Sequence, residues 1–168
     1  MTKTFKNFEA DTGKILNIVI NSLYSDREIF LRELLSNASD AIQKRKYLGL
    51  TEPALLNSLD DSIILRLDKK KKILEIQDSG IGLDDAELAE TLGTLAKSGT
   101  ASFLDQLEKV KDDNSAASNL IGKFGVGFYS AFMVADTVEV LTRKAGMAEV
   151  FLWTSDGQTG YEIEPSDE

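Results

Sequence analysis

Glu33, Asn37, Asp40 and Lys44 stand four, three and four residues apart, spacings that put side chains on one face of a helix. The chain has no histidine and no cysteine, so proton transfer must use carboxylates, lysine, tyrosine or water. Two carboxylates, an amide and an ammonium in one column therefore hold much of the chemistry this sequence can offer. Beside the column runs an apolar face of Phe30, Leu31, Leu34, Leu35, Ala38, Ala41 and Ile42. Asn is a mediocre helix former, and its place beside the core suggests the wall of a polar pocket. The alternative is a solvated face carrying an Asp40–Lys44 pair worth a few tenths of a kcal/mol. The column alone leaves both open.

Two glycine motifs bear on the choice. Asp78-Ser-Gly80-Ile-Gly82-Leu83 follows a strand-like run. Its glycines let backbone approach a ligand closely, and its carboxylate can accept a hydrogen bond from the amino group of a nucleobase. An Asx turn ending the strand is the plainer account. Gly122-Lys-Phe124-Gly125-Val126-Gly127-Phe128 precedes an apolar run. Closely spaced glycines before a helix expose amides that can cradle phosphates, although simple flexibility would also use them. Ser130 stands where a dinucleotide fold wants glycine or alanine, and no convincing strand precedes the motif, which argues against a Rossmann domain. No Gly-x4-Gly-Lys-Ser/Thr run is present, so a P-loop is excluded.

Composition narrows the field further. A length of 168 residues, 42% hydrophobic and 28% charged, suits one soluble globular domain with a real core. A net charge of −9 argues against nucleic acid as a main partner. Without cysteine or histidine there are no disulfides, thiol nucleophiles or Cys/His zinc sites. No apolar run approaches the ~20 residues of a membrane helix, and the polar N-terminus is no signal peptide. A cytoplasmic protein without a membrane partner is the expectation.

The elements that must position these residues follow in order. Thr4 to Glu9 reads as an edge strand or arm. Asp11 or Thr12 caps a helix carrying Ile15, Ile18, Val19 and Leu23. Ser25 and Glu28 form a capping box for the helix that holds the polar column, and Gly49 stops it. Pro53 to Leu59 adds a helical turn. Ile63–Asp68 and Ile73–Gln77 read as strands joined by a solvated turn at Lys69–Lys72. Asp84 with Glu87 caps a helix through Leu88 and Leu92. The stretch from Gly93 to Gly127 has glycine at both ends and resembles a mobile lid. Phe128 to Val134 is a buried helix. Thr137–Arg143, Glu149–Thr154 and Gly160–Ile163 are strands, the last two around a turn at Asp156-Gly157. Helices first and strands later favour an α+β fold, with helices covering one face of a sheet.

The order of the three motifs resembles the ATP-binding domain of the ninety-kilodalton heat-shock protein chaperones, bacterial type. That family lies in the superfamily shared with gyrase-type topoisomerase subunits, sensor histidine kinases and mismatch-repair ATPases. The runs Glu33-Leu-Leu-Ser-Asn-Ala-Ser-Asp40, Leu92-Gly-Thr-Leu-Ala-Lys-Ser-Gly-Thr100 and Ile121-Gly-Lys-Phe-Gly-Val-Gly-Phe128 carry the likeness, which covers almost the whole chain.

The resemblance implies a Bergerat-type fold, a two-layer sandwich of helices on a mostly antiparallel mixed sheet. It also implies a single ATP-binding domain over residues 1–168, with a lid at about 93–127. It assigns Glu33 to the water that attacks the γ-phosphate, Asn37 to Mg²⁺, and Asp78 to the adenine amino group. Asp40, Ala41 and Lys44 would line the pocket. Gly80, Gly82 and Leu83 would shape its adenine side, where the family usually has methionine at the position of Leu83. Lys97, Gly122, Phe124, Gly125, Val126, Gly127 and Phe128 would surround the phosphates. Thr91 stands where many relatives have asparagine or histidine and receives no role, and Lys123 replaces a usual glutamine. The family's last core strand, with a Gly-Thr pair near the adenine, is expected beyond Glu168, as are the middle and dimerisation domains. The implied activity is weak Mg-dependent ATP hydrolysis in a chaperone acting on client proteins, dimeric at full length and monomeric as this domain. A nucleotide-binding module without catalysis, or a histidine-kinase catalytic domain, are the rivals.

Overall fold

The computed structural model describes residues 4–6, 28–56, 60–93 and 127–167. The expected helix after Asp11, most of the lid stretch, Lys97 and the loop positions Gly122, Phe124, Gly125 and Val126 lie outside the described residues.

Strand β1 (Thr4–Lys6) is followed by helix α1 (Ile29–Gly49) and a 3-10 turn at Pro53–Leu56. Strands β2 (Ile63–Asp68) and β3 (Ile73–Asp78) precede helix α2 (Asp85–Thr91). A 3-10 helix at Gly127–Met133 leads to β4 (Val138–Arg143), β5 (Val150–Ser155) and β6 (Tyr161–Ser166). The fold is α+β, as the order of patterns predicted.

Every strand pairing among the described residues is antiparallel. Four strands form one sheet in the order β1-β6-β5-β4, while β2 and β3 make a separate hairpin. The loop after β3 joins the two, because Ala145 N–H donates to the Ile81 carbonyl at 2.7 Å. β1 is the edge strand expected at the N-terminus. Pro165 lies in β6 beyond the last residue that β1 pairs, opposite Phe151 of β5.

Alternation fixes which face of the large sheet is covered. Val138, Val140 and Thr142 of β4 are partly buried, and Glu139, Leu141 and Arg143 are exposed. Trp153 is fully buried and pairs across strands with Val140 and Ile163. It joins Leu88 of α2 and Leu92 at its C-cap with Tyr161 and Ile163 to form the core. Phe128 meets Trp153 edge-on at 5.6 Å, and Tyr161 stacks on it at 5.9 Å. Both geometries suit the charge distribution of aromatic rings.

The helix boundaries follow local chemistry. Asp84 accepts from Glu87 N–H at 2.9 Å while the Glu87 carboxylate accepts from Asp84 N–H at 3.2 Å, completing the expected capping box. Glu28 occupies the N-cap of α1 without a side-chain cap bond, and its expected partner Ser25 lies outside the described residues. Gly49 is the last residue of α1, as expected, but without the left-handed turn of a glycine stop. The next residue, Leu50, keeps φ −66°, and a Cβ on Gly49 would lie 2.4 Å from the Leu56 side chain. Near the same end the buried Arg45 donates to Asp61 at 2.8 Å and to the Leu55 carbonyl at 3.3 Å. Lys46 also bonds Asp61, at 2.8 Å. These contacts, led by the Lys46 bond, hold the Asp61 carboxyl below the usual carboxylate range.

The turns are similarly self-made. Asp68 accepts from the amides of Lys70 and Lys71, each at 3.0 Å, and Lys72 takes a positive φ of 56°. At the other hairpin Asp156 accepts from Gln158 and Thr159 N–H, which lowers its pKa, and Gly157 supplies φ 72°.

Candidate functional site

Helix α1 is where the glycine motifs meet. Its buried residues, Ala38, Ile42, Arg45 and Gly49, recur at helical spacing and face inward. Asn37, Asp40 and Lys44 are exposed, and Glu33 retains 13% of its side-chain surface. Asp40 and Lys44 make no ion pair with each other, and Asn37 has no hydrogen-bond partner among the described residues. Asn37, Asp40 and Lys44 are thus neither buried in the core nor tied up in surface pairs, while Glu33 is largely buried and meets Arg32 at 3.6 Å.

The loop after β3 lies on the middle of this helix. A Cβ on Gly80 would sit 2.4 Å from the Cβ of Ala41, so glycine is what allows the contact. Ile81 N–H donates to the Ala41 carbonyl at 3.1 Å. Ser79 is buried and continues the ladder: its N–H donates to the Ser62 carbonyl, and its hydroxyl accepts from Ser62 N–H. Gly82 takes φ +65°, and a side chain there would drive a Cβ to 2.0 Å from the Arg143 carbonyl. Leu83 N–H donates to Thr142 Oγ1 at 3.0 Å. From Ser79 to Asp84 each residue is fixed by a hydrogen bond or by close backbone contact.

Asp78 stands at the open end of this loop. Its Oδ1 accepts from Gly80 N–H at 2.8 Å, which is the Asx turn considered from the sequence. The turn and a ligand role are compatible, because Oδ2 has no hydrogen-bond partner among the described residues and the side chain is exposed. The site holds one carboxylate oxygen on an otherwise pinned loop.

The second glycine motif reaches α1 about two turns closer to its N-terminus. A Cβ on Gly127 would lie 2.6 Å from Glu33 Oε2 and 3.3 Å from Glu33 Cβ, so Gly127 seats its backbone against this carboxylate. The segment that follows is helical, as expected, but wound as a 3-10 helix. The buried Ser130 hydroxyl donates to the Gly127 carbonyl three residues back, at 2.5 Å, which matches that tighter period. Phe128 turns into the core against Trp153. Tyr129 donates its hydroxyl to the Leu92 carbonyl, so the two flanks of the stretch 94–126 are tied together. Burial, with a smaller contribution from Tyr161, pushes the Tyr129 phenol far above its ordinary pKa, and it stays a neutral donor.

The described residues thus place the Asp78 loop, with Gly82 and Leu83, against Ala41 and Gly127 against Glu33, with Asn37, Asp40 and Lys44 on the exposed surface of the same helix and Phe128 packed into the core. Among the described residues no group of three or more His, Cys, Asp or Glu could hold a metal by itself. Asn37 offers one neutral oxygen on the same face as Glu33. Magnesium commonly takes only one or two protein oxygens and completes its shell with water and substrate phosphates. The donor set fits a phosphate-borne ion.

Thr142 and Lys144 contribute to the site without having been singled out in the sequence. Lys144 bonds Asp84 at 2.7 Å and Glu87 at 3.0 Å. The bond from Lys144, then that from Glu87 N–H, holds the Asp84 carboxyl below its usual range, and the two carboxylates raise the Lys144 pKa. A hydroxyl at Thr142, on the covered face of β4, was the available signal, since a partly buried polar group calls for a partner.

The profile of the histidine kinase-, DNA gyrase B- and HSP90-like ATPases matches residues 24–160, a span that includes α1, both glycine motifs and strands β2 to β5. The chain belongs to this ATPase family. Among relatives, it is 54% identical over 96% of its length to the chaperone protein HtpG of Roseobacter denitrificans. It is 52% identical over 97% of its length to that of Rhodospirillum rubrum, and 48% over its whole length to that of Rickettsia typhi. The chain spans only 26–27% of the length of these curated relatives. Within the ATPase family the likeness is thus to the chaperone branch, as the Glu33–Asp40 and Leu92–Thr100 runs suggested. No helix among the described residues is long and apolar enough to cross a membrane.

Proposed function

We propose that this chain binds ATP and ADP across the face of α1 and hydrolyses ATP slowly, as the nucleotide-driven part of a cytoplasmic chaperone acting on unfolded client proteins. The observation that carries the reading is that one helix seats both glycine motifs, Gly80 on Ala41 and Gly127 against Glu33. That arrangement lets an adenine end at Asp78 and a phosphate end at Gly127 belong to one ligand.

In this reading Asp78 Oδ2 accepts from the adenine amino group, and the pinned loop behind it fixes where the base lies. Leu83 and Gly82 shape that side, while Asp40, Ala41 and Lys44 form the rim. Glu33 orients and deprotonates the attacking water. Asn37 would hold Mg²⁺, which when bound offsets phosphate charge. Lys97, Gly122, Phe124, Gly125, Val126, Gly127 and Phe128 complete the phosphate side. Residues 1–168 act as one nucleotide-binding unit, monomeric alone and dimeric in the longer protein.

Single-turnover hydrolysis of Mg-ATP by the chain alone tests the catalytic half of the proposal. Slow release of phosphate that stops when magnesium is chelated is expected. Binding without any phosphate release would make the chain a nucleotide-binding module. Transfer of the phosphoryl group to a partner histidine would place it with the kinases.

A further inference from the structure

The end of β4 grips the Asp78 loop from the side opposite α1. Thr142 Oγ1 accepts from Leu83 N–H at 3.0 Å, the Arg143 carbonyl fills the space a side chain on Gly82 would need, and Ala145 N–H donates to the Ile81 carbonyl at 2.7 Å. Between them Lys144 extends to Asp84 and Glu87, the two halves of the α2 capping box, at 2.7 and 3.0 Å. The side chains of this trio keep only 31%, 20% and 31% of their surface. Partial shielding strengthens such a cluster relative to a fully solvated pair. One ammonium thus bridges two carboxylates and offsets part of their mutual repulsion at the N-terminus of α2.

We propose that Lys144 is a positioning residue for the nucleotide: by clamping Asp84 and Glu87 to the end of β4, it sets the lie of the Ile81–Leu83 loop and thereby the affinity and base selectivity of Asp78. The inference rests on the nucleotide-binding reading above. Lys144 does not touch the ligand and acts only through the loop. Without the ammonium, the loop keeps its backbone bonds to Ala41 and Thr142 but loses the tie that draws α2 against β4. The adenine-reading carboxylate then samples more positions, and discrimination between bases falls along with affinity.

The test compares wild type with Lys144→Met, which keeps the apolar stem, and with Lys144→Arg, whose guanidinium fork can bridge two carboxylates. Amide hydrogen exchange at Ile81 and Leu83 reads the clamp, and calorimetric titration with ADP and with GDP reads its consequence. Lys144→Met is expected to speed exchange at both amides, weaken ADP roughly fivefold and narrow the ADP-to-GDP preference. Lys144→Arg is expected to restore all three. Asp84→Asn, which preserves the N-cap, is expected to reproduce the effect and to add little to Lys144→Met. A Lys144→Met protein that melts lower yet keeps wild-type loop exchange and base preference would overturn the proposal, since its role would be structural only. Wild-type protein that binds no ADP would instead overturn the nucleotide reading, and the proposal with it.

Discussion

Replacing Asp78 by asparagine is expected to weaken ADP binding roughly thirtyfold, about 2 kcal/mol, the value of one hydrogen bond to a charged group that ligand binding removes from water. The substitution is clean because it spares the turn. Oδ1 of asparagine can still accept from Gly80 N–H, the bond that Asp78 makes at 2.8 Å. What changes is the other atom, where an amide donor replaces the oxygen proposed to accept from the adenine amino group. Two donors then oppose each other, so the loss falls on binding and not on stability. Thermal unfolding of the variant should match wild type, and titration calorimetry should show the affinity loss. Unchanged ADP affinity would remove Asp78 from the adenine site.

Removing the Glu33 carboxylate should have a larger effect on rate and almost none on binding. Glu33→Ala is expected to keep ADP and ATP affinity while lowering single-turnover hydrolysis by about 10²–10⁴-fold, the usual contribution of a positioned general base. Glu33 is suited to the task because only 13% of its side chain is exposed, with Gly127 packed against its Oε2. Its one ion-pair contact among the described residues, to Arg32 at 3.6 Å, is long and faces solvent, so truncation costs little stability. Glu33→Gln keeps the same volume against Gly127 and should be equally inactive. Collapse of nucleotide binding in either variant would make Glu33 a structural residue.

The parts of this site that were legible in the sequence are those specified by neighbours in the chain. The polar column follows from helical spacing, the α2 capping box from Asp84 and Glu87, and the hairpins from Asp68 and Asp156 with their turn amides. Gly49 was placed correctly as the end of α1, although the left-handed turn that a glycine stop supplies is absent there. The clamp at Lys144 was not legible, because it joins residues 57 and 60 positions apart, and nothing local marks Lys144 from other surface lysines. Phe128 shows the same limit. Its place after the glycines suggested a pocket wall, while its packing against Trp153 depends on how β5 lies beneath it. What bears on the question posed by the column, solvent or pocket, is tertiary seating and not composition: Ala41 carries Gly80, and Glu33 meets Gly127.

The central claim is that one nucleotide spans α1 from Asp78 to Glu33. Titration of isotope-labelled protein with ADP, followed amide by amide with magnesium present and then chelated, tests it most directly. Saturable shifts are expected at Asp78 to Leu83 and along Asn37 to Lys44, with the Asn37 side-chain amide moving only when magnesium is present. Absence of saturable binding, or shifts that leave both α1 and the Asp78 loop unmoved, would contradict it.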